Sequence, residues 1–317
     1  MPTATLEPSI GSDKQTFAEH FNRCPFEITH TLAENPLFRV DRIIELAQRV
    51  ETRKTPHRRF GDIYCNIGEV NPGLKVAEGQ RPAEAPSTML RRIQEAQAWV
   101  LLEHVEREDG YREVLQQCIC DLLELSGREM MLNIKWFDAI LFVTSPRRVT
   151  HYHVDRECAW LVQLHGEKDI HIFDKADKEV VPDEELERFW TVDNGAGTYK
   201  PQFENRAKVF RMKPGTGVHI PVNCPHWLEN RDEVSVSMNV NFQFRDEILG
   251  NIYKANHYLR RMGWKPSSPG RHPIADRIKS QCYTTVQQLN RWRKGGADVP
   301  PEAKADYQRI KELMRSH

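Results

Sequence analysis

Residues 234–244 read VSVSMNVNFQF, an almost uninterrupted alternation of apolar and polar residues. Successive side chains of a β-strand point to opposite faces, so this alternation predicts a strand with one face in a core and the other carrying polar side chains. The apolar face would be formed by Val234, Val236, Met238, Val240 and Phe242. The stretch therefore indicates a β-rich fold.

Further short β-type runs precede this strand from Met130 onward, and turn residues separate them. They are MMLNIKWF, AILFVTS, AWLVQLHG, DIHIFD, KVFRM and GVHIPV. Several short strands at this spacing are typical of a closed or double-sheet all-β core. We therefore expect a mainly β core of the jelly-roll type, a double-stranded β-helix, flanked by N- and C-terminal helices.

The N-terminal part of the chain shows mostly helical periodicity. Apolar residues at i, i+3 and i+4 spacing predict helices over 40–50, 87–105 and 111–125. The segment 54–86, which is rich in proline, glycine and charge, is predicted to be loop. We expect residues 1–128 to form a helical and loop region that packs on the core.

Helical periodicity returns after the last strand. Helices are predicted from Ile248 to Leu259, from Pro273 to Trp292 and near Pro300. The expected organisation is thus a β core at 129–246 followed by a C-terminal helical extension at 247–317.

The C-terminal extension is basic, with 14 Lys or Arg and 5 Asp or Glu between Leu249 and His317. Its apolar stripes need a partner, so we expect these helices to pack on the core or on a second copy of the chain as a homodimer. Nucleic-acid binding is not expected, because such charge is usually a solvated face.

Charge and composition exclude several other classes of protein. The 317 residues include 45 Lys or Arg and 45 Asp or Glu, so no overall charge draws the chain to nucleic acid or membrane. The start of the chain lacks a signal-peptide pattern, and no apolar run is long enough to span a bilayer. The seven cysteines are scattered without a CxxC pair. These features predict a cytoplasmic protein with reduced thiols and no membrane association.

The sharpest local pattern is THYHVD at residues 150–155. Residues i and i+2 of a strand share a face, so His153 and Asp155 can present an imidazole and a carboxylate to one ion. A second imidazole, His226, follows in PGTGVHIPVNCPHWLEN, where Pro-Gly turns the chain. Two histidines and one carboxylate are the donor set of non-haem Fe(II) sites that keep open coordination positions.

Residues 129–246 resemble the JmjC-type 2-oxoglutarate oxygenases, especially the small hydroxylases related to the asparaginyl hydroxylase of hypoxia-inducible factor. The family pattern has a Thr three residues before the first ligand and a Lys fifteen residues after it in a QxxGxK context, and Thr150 and Lys168 stand at these positions. The family's PG…IP…H turn matches PGTGVHIPVNCPH, and its VNF matches residues 240–242.

The resemblance implies a cupin-like fold and the activity of a 2-oxoglutarate-dependent dioxygenase, a hydroxylase. It implies Fe(II) held by His153, Asp155 and His226. It further implies that Thr150 and Lys168 bind the distal carboxylate of the cosubstrate 2-oxoglutarate, with Asn241 near its metal-bound end. The substrate class stays open among a protein side chain, a peptide and a small metabolite.

Some positions depart from the family pattern or compete with it. Ala159 stands where some relatives carry an Asn, and Tyr64 is only a candidate for the aromatic hydroxyl of the cosubstrate pocket. His151 and His219 are alternative ligands, which we expect to be pocket or core residues because relatives use the HxD pair.

Two other functions compete with the oxygenase. The first is a metal-binding cupin enzyme that does not use 2-oxoglutarate, and Thr150 and Lys168 argue against it. The second is a non-catalytic cupin-like ligand-binding protein, against which the intact triad argues.

Overall fold

The computed structural model describes residues 9–53, 60–68, 70–75, 80–126, 133–244 and 248–293. Its strands are Ile10–Gly11 (β1), Phe26–His30 (β2), Ile63–Ile67 (β3), Ala98–Leu102 (β4), Ile134–Thr144 (β5), Val149–His153 (β6), Cys158–His165 (β7), Lys168–Ile172 (β8), Lys208–Met212 (β9), Thr216–Ile220 (β10), His226–Asn230 (β11) and Ser235–Phe244 (β12). Its α-helices are Lys14–His20 (α1), Val40–Val50 (α2), Pro86–Arg91 (α3), Tyr111–Ser126 (α4), Asp183–Thr191 (α5), Ile248–Arg261 (α6) and Pro273–Arg293 (α7).

The major sheet has eight strands in the order β1-β2-β10-β7-β12-β5-β4-β3, and its neighbours are antiparallel. β12 lies between β5 and β7, so both of its edges are paired. Its apolar face, with Val236, Val240 and Phe242, is buried in one core cluster with residues of α1, α2 and α4. The alternation predicted for this strand is therefore confirmed.

The minor sheet has four antiparallel strands in the order β6-β11-β8-β9. A second core cluster contains side chains of β7 and β10 from the major sheet together with side chains of β8, β9 and β11. The two sheets therefore pack face to face around a shared interior. A mainly antiparallel β core with helical additions is confirmed.

The N-terminal part contributes strands as well as helices, because β1 to β4 extend both edges of the major sheet. The prediction of one helix over 87–105 is wrong, since α3 ends at Arg91 and β4 follows. Gln97 has a positive φ of 46°, which ends any helical course, and the apolar run after it pairs with β3 and β5. A short apolar run fits either a helix or a strand, and tertiary pairing decides.

The segment 54–86, predicted to be loop, contains β3 and the first residue of α3. β3 pairs with β4 and forms the outer edge of the major sheet. Proline and glycine around this short strand concealed it.

The predicted helices at 248–259 and 273–292 are confirmed as α6 and α7, whereas the helix expected near Pro300 lies outside the described residues. α6 packs on α5: Arg260 donates two hydrogen bonds of 2.9 Å to the buried Glu187 carboxylate. A Cβ at Gly250 would lie 2.5 Å from the Trp190 ring, so only glycine permits this close approach. Helix α5 thus anchors α6, the first of the C-terminal helices.

All seven cysteines are free. In the part of the chain that the structure describes, no helix combines the length and the apolar character needed to cross a bilayer.

Candidate metal centre

The structure brings His153, Asp155 and His226 together. His153 ends β6, His226 begins β11, and the two residues face each other in the antiparallel register. The Oδ2 atom of Asp155 lies 3.8 Å from His153 Nε2 and 3.6 Å from His226 Nε2. One ligand atom from each of the three residues lies within 4.8 Å of the others, a spacing that can hold one metal ion.

The turn before β11 is tied to the acidic member of this group. The backbone N–H of Asn223 donates to the backbone carbonyl of Asp155 at 3.0 Å. Asn223 adopts a positive φ of 66°, a conformation that asparagine tolerates better than most residues. This hydrogen bond holds the approach to His226 beside the loop that carries Asp155.

Hydrogen bonds to the backbone orient both imidazoles. His153 Nδ1 lies 2.8 Å from the His151 carbonyl, and His226 Nδ1 lies 3.0 Å from the Cys224 carbonyl. A carbonyl can only accept, so each Nδ1 carries the proton and each neutral ring keeps a lone pair on Nε2, toward Asp155. Burial, followed by the charge of His153, lowers the pKa of His226 below its usual value, which favours the neutral form that binds metals.

The two alternative histidines are placed differently. His219 is fully buried: its Nε2 accepts from the Asn22 amide at 2.9 Å, its Nδ1 lies 3.2 Å from the Ala159 carbonyl, and its ring stacks on Trp160. His151 lines the cavity, but it is outside the three-residue group, and burial lowers its pKa to about 3.

Thr150, Lys168 and Asn241 line the same cavity of about 430 Å³ as the three candidate ligands. Thr150 faces Leu228 across the β6–β11 pair. Asn241 donates through Nδ2 to Asp138 at 3.0 Å and accepts from Asn239 at 2.8 Å.

Lys168 is a buried cation without a carboxylate partner among the described residues. Its side chain is 4% exposed, and its Nζ donates to Ser237 Oγ at 2.9 Å. Burial lowers the pKa of Lys168 to about 7. A buried ammonium is costly unless it is paired, so the position is suited to an anion that enters the cavity.

The hairpin between β7 and β8 fixes the position of Lys168. Gln163 Nε2 donates to the carbonyls of His165 and Gly166 and to Ser235 Oγ. Gly166 has a positive φ of 67°, and a Cβ there would lie 2.3 Å from the Val234 carbonyl oxygen. The Gln and Gly of QLHGEK are therefore structural requirements of the turn that precedes Lys168.

Alternate residues of β5 and β12, together with a residue of β7, line the cavity from one end to the other. Ser237 pairs with Phe142 at the Lys168 end, Asn239 pairs with Ile140, and Asn241 pairs with Asp138 toward the other end.

Two acidic residues of the cavity were missed from the sequence. Burial raises the pKa of Asp138, and burial together with the charge of Asp155 raises the pKa of Glu157 to about 7. Asp138 was visible as a polar interruption in KWFDAILFV, but only the sheet register places it beside Asn241. Tyr64, a candidate for the cosubstrate pocket, is not among the residues that line the cavity and instead contacts Trp99.

The burial of Lys168 predicts a pH-dependent cost to stability. The unfolded chain has a lysine pKa of about 10.4, whereas the folded value is about 7. Between these two pKa values the unfolded chain binds more protons at this lysine than the folded chain does, so the free energy of unfolding rises with pH from about pH 7 to about pH 10. Below pH 7 the full cost of burying the charged lysine is present. We expect Lys168→Met to raise the free energy of unfolding by about 2–4 kcal/mol at neutral pH, with the gain shrinking toward pH 10.

Urea denaturation across this pH range measures the effect. Lys213→Met, at an exposed lysine after β9, is the matched control and should change little. A gain that does not depend on pH, or a loss of stability at neutral pH, would contradict the assigned cost.

Comparison with known proteins places this site in a known fold. No protein-family model and no curated protein sequence matches the chain. The X-ray structure of YcfD from Escherichia coli is 15% identical with a TM-score of 0.52, over 98% of this chain and 69% of that chain. A YcfD structure described as a ribosomal oxygenase in complex with cobalt and 2-oxoglutarate is 17% identical with a TM-score of 0.45, over 98% and 68%. The first similarity shows that the chain shares the fold of YcfD.

Proposed function

We propose that this chain is an Fe(II)- and 2-oxoglutarate-dependent dioxygenase that hydroxylates a protein side chain, a peptide or a small metabolite. One observation carries the proposal: a group of two imidazoles and a carboxylate shares a single cavity with a buried lysine that has no counter-ion among the described residues. The donor group alone fits several metal enzymes, whereas the lysine adds the requirement for an anionic cosubstrate.

His153, Asp155 and His226 would hold the iron. Their donor set fits Fe(II), because two neutral imidazoles and one carboxylate leave coordination positions open. The backbone carbonyls that orient the two Nδ1 atoms are the outer contacts such a site requires.

Lys168, Thr150 and Asn241 would hold 2-oxoglutarate. The Lys168 ammonium would pair with the distal carboxylate, and the Thr150 hydroxyl would donate to it. Asn241, held by Asn239 and Asp138, would lie near the metal-bound end. When bound, iron and 2-oxoglutarate would supply the chemistry that activates dioxygen, the oxidant, while these side chains neutralise charge and fix orientation in a site shielded from water.

The two packed sheets support a finer description of the fold. We infer that they form the double-stranded β-helix of cupin-like proteins, with residues 129–246 as the catalytic core. Residues 1–128 and 247–317 would be its N-terminal and C-terminal additions, with β1 to β4 of the former extending the major sheet. The seven free cysteines support the reducing cytoplasm as the compartment.

The competing functions do not require the combination of a buried lysine and a metal-binding group that this cavity contains. A cupin that uses its metal without 2-oxoglutarate has no need for a buried unpaired lysine in the metal cavity, and the fold pays for keeping it there. A non-catalytic ligand-binding protein has no need for three donor atoms within 4.8 Å of one another.

We expect that His153→Ala, Asp155→Ala and His226→Ala each weaken Fe(II) binding by at least about 100-fold, because loss of even an outer contact costs 10- to 100-fold. Anaerobic metal titration measures this loss. The variants should remain folded, as His153 and His226 lie at strand ends and Asp155 lies in the loop after β6.

His151→Ala is the matched control for these variants, since it removes an imidazole from the same cavity without removing a proposed ligand. Normal Fe(II) binding by His226→Ala, with loss of binding in His151→Ala or His219→Ala, would show that the ligand set is wrong.

The cosubstrate residues predict an order of 2-oxoglutarate affinities. Lys168→Ala should weaken 2-oxoglutarate binding by about 2–5 kcal/mol, roughly 30-fold to several thousand-fold in affinity, because the distal carboxylate loses its partner. Thr150→Val should cost about 1–2 kcal/mol through one lost hydrogen bond. Lys168→Arg should rescue only in part, because the guanidinium is longer and wider.

Anaerobic calorimetry on the iron-loaded variants measures these affinities, with Lys213→Ala as the control at an exposed lysine. Fe(II) affinity should barely change. Unchanged 2-oxoglutarate affinity in Lys168→Ala, or no binding by the parent protein, would favour the metal cupin of another chemistry.

The C-terminal helices support a proposal about assembly. Ile274, Ile278, Leu289 and Trp292 of α7 are 55–80% exposed and recur at helical spacing. We infer that this apolar stripe packs against a second copy of the chain, because a stripe of this kind is costly in water. Nucleic acid is not the proposed partner.

Light scattering on the purified protein should therefore give a dimer, and Ile278→Glu with Leu289→Glu should give a folded monomer. Val192→Glu introduces the same charge at an exposed apolar residue of the region between α5 and β9 and should leave the dimer intact. A monomeric parent protein, or submicromolar salt-sensitive binding of DNA or RNA, would contradict the assignment.

A further inference from the structure

A second cavity lies outside the one that contains the candidate metal ligands. Its volume is about 390 Å³, and none of the described residues that line it also lines the metal cavity. Its walls are formed by the paired ends of β5 and β12, the turn between β10 and β11, the loop that leads into β7, and the helices α5 and α6. A cavity of this size admits a small molecule with several functional groups.

Residues of the two cavities alternate along the chain. On β5, Lys135 lines the second cavity and the next residue, Trp136, lines the metal cavity. Neighbouring residues of a strand point to opposite faces, which separates these two side chains. In the loop that leads into β7, Arg156 lines the second cavity, while its neighbours Asp155 and Glu157 line the metal cavity. The second cavity is therefore a neighbour of the metal site and is distinct from it.

The charged side chains of the second cavity are cationic. Lys135, Arg156 and Lys254 line it, and no aspartate or glutamate of the described chain does. Arg156 and the Glu157 carboxylate interact through their charges, but Glu157 belongs to the metal cavity. Three positive charges around one cavity create a positive potential that attracts anions.

Helix α6 brings one of these cations to the cavity wall. Gly250 permits a close approach to Trp190, because a Cβ there would lie 2.5 Å from the indole ring. Lys254 follows Gly250 by four residues and therefore shares its helix face. The Lys254 Nζ atom lies 5.7 Å from the centroid of the Trp190 ring. Trp190 is itself held by its Nε1, which donates to Asn223 Oδ1 at 3.0 Å.

Arg156 lies over the same indole ring. Its guanidinium carbon is 5.3 Å from the Trp190 centroid, and its Nη2 donates to the Phe189 carbonyl and to Asn194 Oδ1. Its Nε is buried without a hydrogen-bond partner, so the guanidinium has hydrogen-bonding capacity to spare. Two cations thus share one aromatic ring, and its attraction for each of them offsets their mutual repulsion only in part. An anion in the cavity would offset the rest.

Side-chain amides add neutral donors to this cationic wall. Asn22 Oδ1 accepts from the Val222 backbone N–H at 3.0 Å, so the NH2 group is the part of this amide that can donate to a ligand. The side chains of Asn133 and Gln243 also line the cavity. Cations combined with NH2 donors suit the oxygen atoms of phosphate and carboxylate groups, which accept hydrogen bonds.

We propose that this cavity binds a small molecule that carries two or more anionic groups, phosphates or carboxylates. Three cations call for more than one negative charge, and the volume leaves room for a carbon skeleton between the charged groups. Val222, Phe244 and Leu249 offer apolar contacts to that skeleton. The inference does not depend on the proposed function, because the two cavities share no described side chain.

Matched anionic and neutral compounds test the inference by calorimetry. The 317-residue protein is titrated, at fixed ionic strength and without added metal, with fructose 1,6-bisphosphate and with propane-1,2,3-tricarboxylate. Fructose and propane-1,2,3-tricarboxamide are the neutral counterparts. We expect at least one anionic compound to bind about ten-fold or more tightly than its neutral counterpart, because its charges meet cations. The tighter of the two anionic compounds identifies phosphate or carboxylate as the preferred group.

Lys254→Met should weaken binding of the preferred anionic compound about ten-fold or more, because it removes one positive charge. Methionine packs well against aromatic rings, so this variant keeps the contact with Trp190 and should fold normally. Arg156→Gln should weaken binding to a similar extent. Lys213→Met, at an exposed lysine outside the cavity, is the matched control and should leave binding unchanged.

Lys168→Ala distinguishes the two cavities, since it should bind the anionic compound normally. Loss of binding in Lys168→Ala would locate the anion in the metal cavity and overturn the inference. Equal binding of anionic and neutral compounds, or an affinity unaffected by Lys254→Met, would also overturn it. Displacement of the bound compound by a short RNA oligonucleotide at submicromolar concentration would replace a small-molecule site with a nucleic-acid surface.

Discussion

The two faces of β12 constrain the rest of the structure. Its apolar residues are fixed in the main core, so Ser237, Asn239 and Asn241 must point to the interior between the sheets. A slip of one residue in its pairing would reverse both faces, and the buried core prevents it. These three polar positions also set the depth of the cavity, because Lys168 meets Ser237 and Asp138 meets Asn241. The interactions that fold the sheet therefore also position the site.

Two buried ionisable groups, Lys168 and Asp138, line the two ends of this cavity. Burial lowers the pKa of Lys168 to about 7 and raises the pKa of Asp138, so both groups are driven toward their neutral forms by the same cause. A group in this condition destabilises the fold on its own and binds an opposite charge strongly. Such destabilisation is the usual trade-off at functional sites. The Lys168 end of the cavity is thus suited to an anion.

Local sequence predicted the parts of the site that local geometry determines. The i and i+2 relation of His153 and Asp155 follows from strand periodicity. The Pro-Gly turn before β10 and the two prolines of the turn before His226 were also visible in the sequence. Asp138 and Glu157 were not predicted as site residues, because their location in the cavity depends on the register of β5, β7 and β12, which are distant in sequence. β4 was mistaken for helix because AWVLL is apolar throughout, and only its pairing with β3 and β5 distinguishes the two structures.

The proposed function requires that the donor group and Lys168 act on one cosubstrate, and coupled turnover tests this requirement most directly. The measurement is conversion of 2-oxoglutarate to succinate in air, with and without Fe(II), by the parent protein and by Lys168→Ala. Conversion that requires Fe(II) and oxygen, and that falls sharply in Lys168→Ala at low 2-oxoglutarate, is the predicted result. Iron binding by the parent protein without any succinate, or equal turnover by Lys168→Ala at low 2-oxoglutarate, would contradict it.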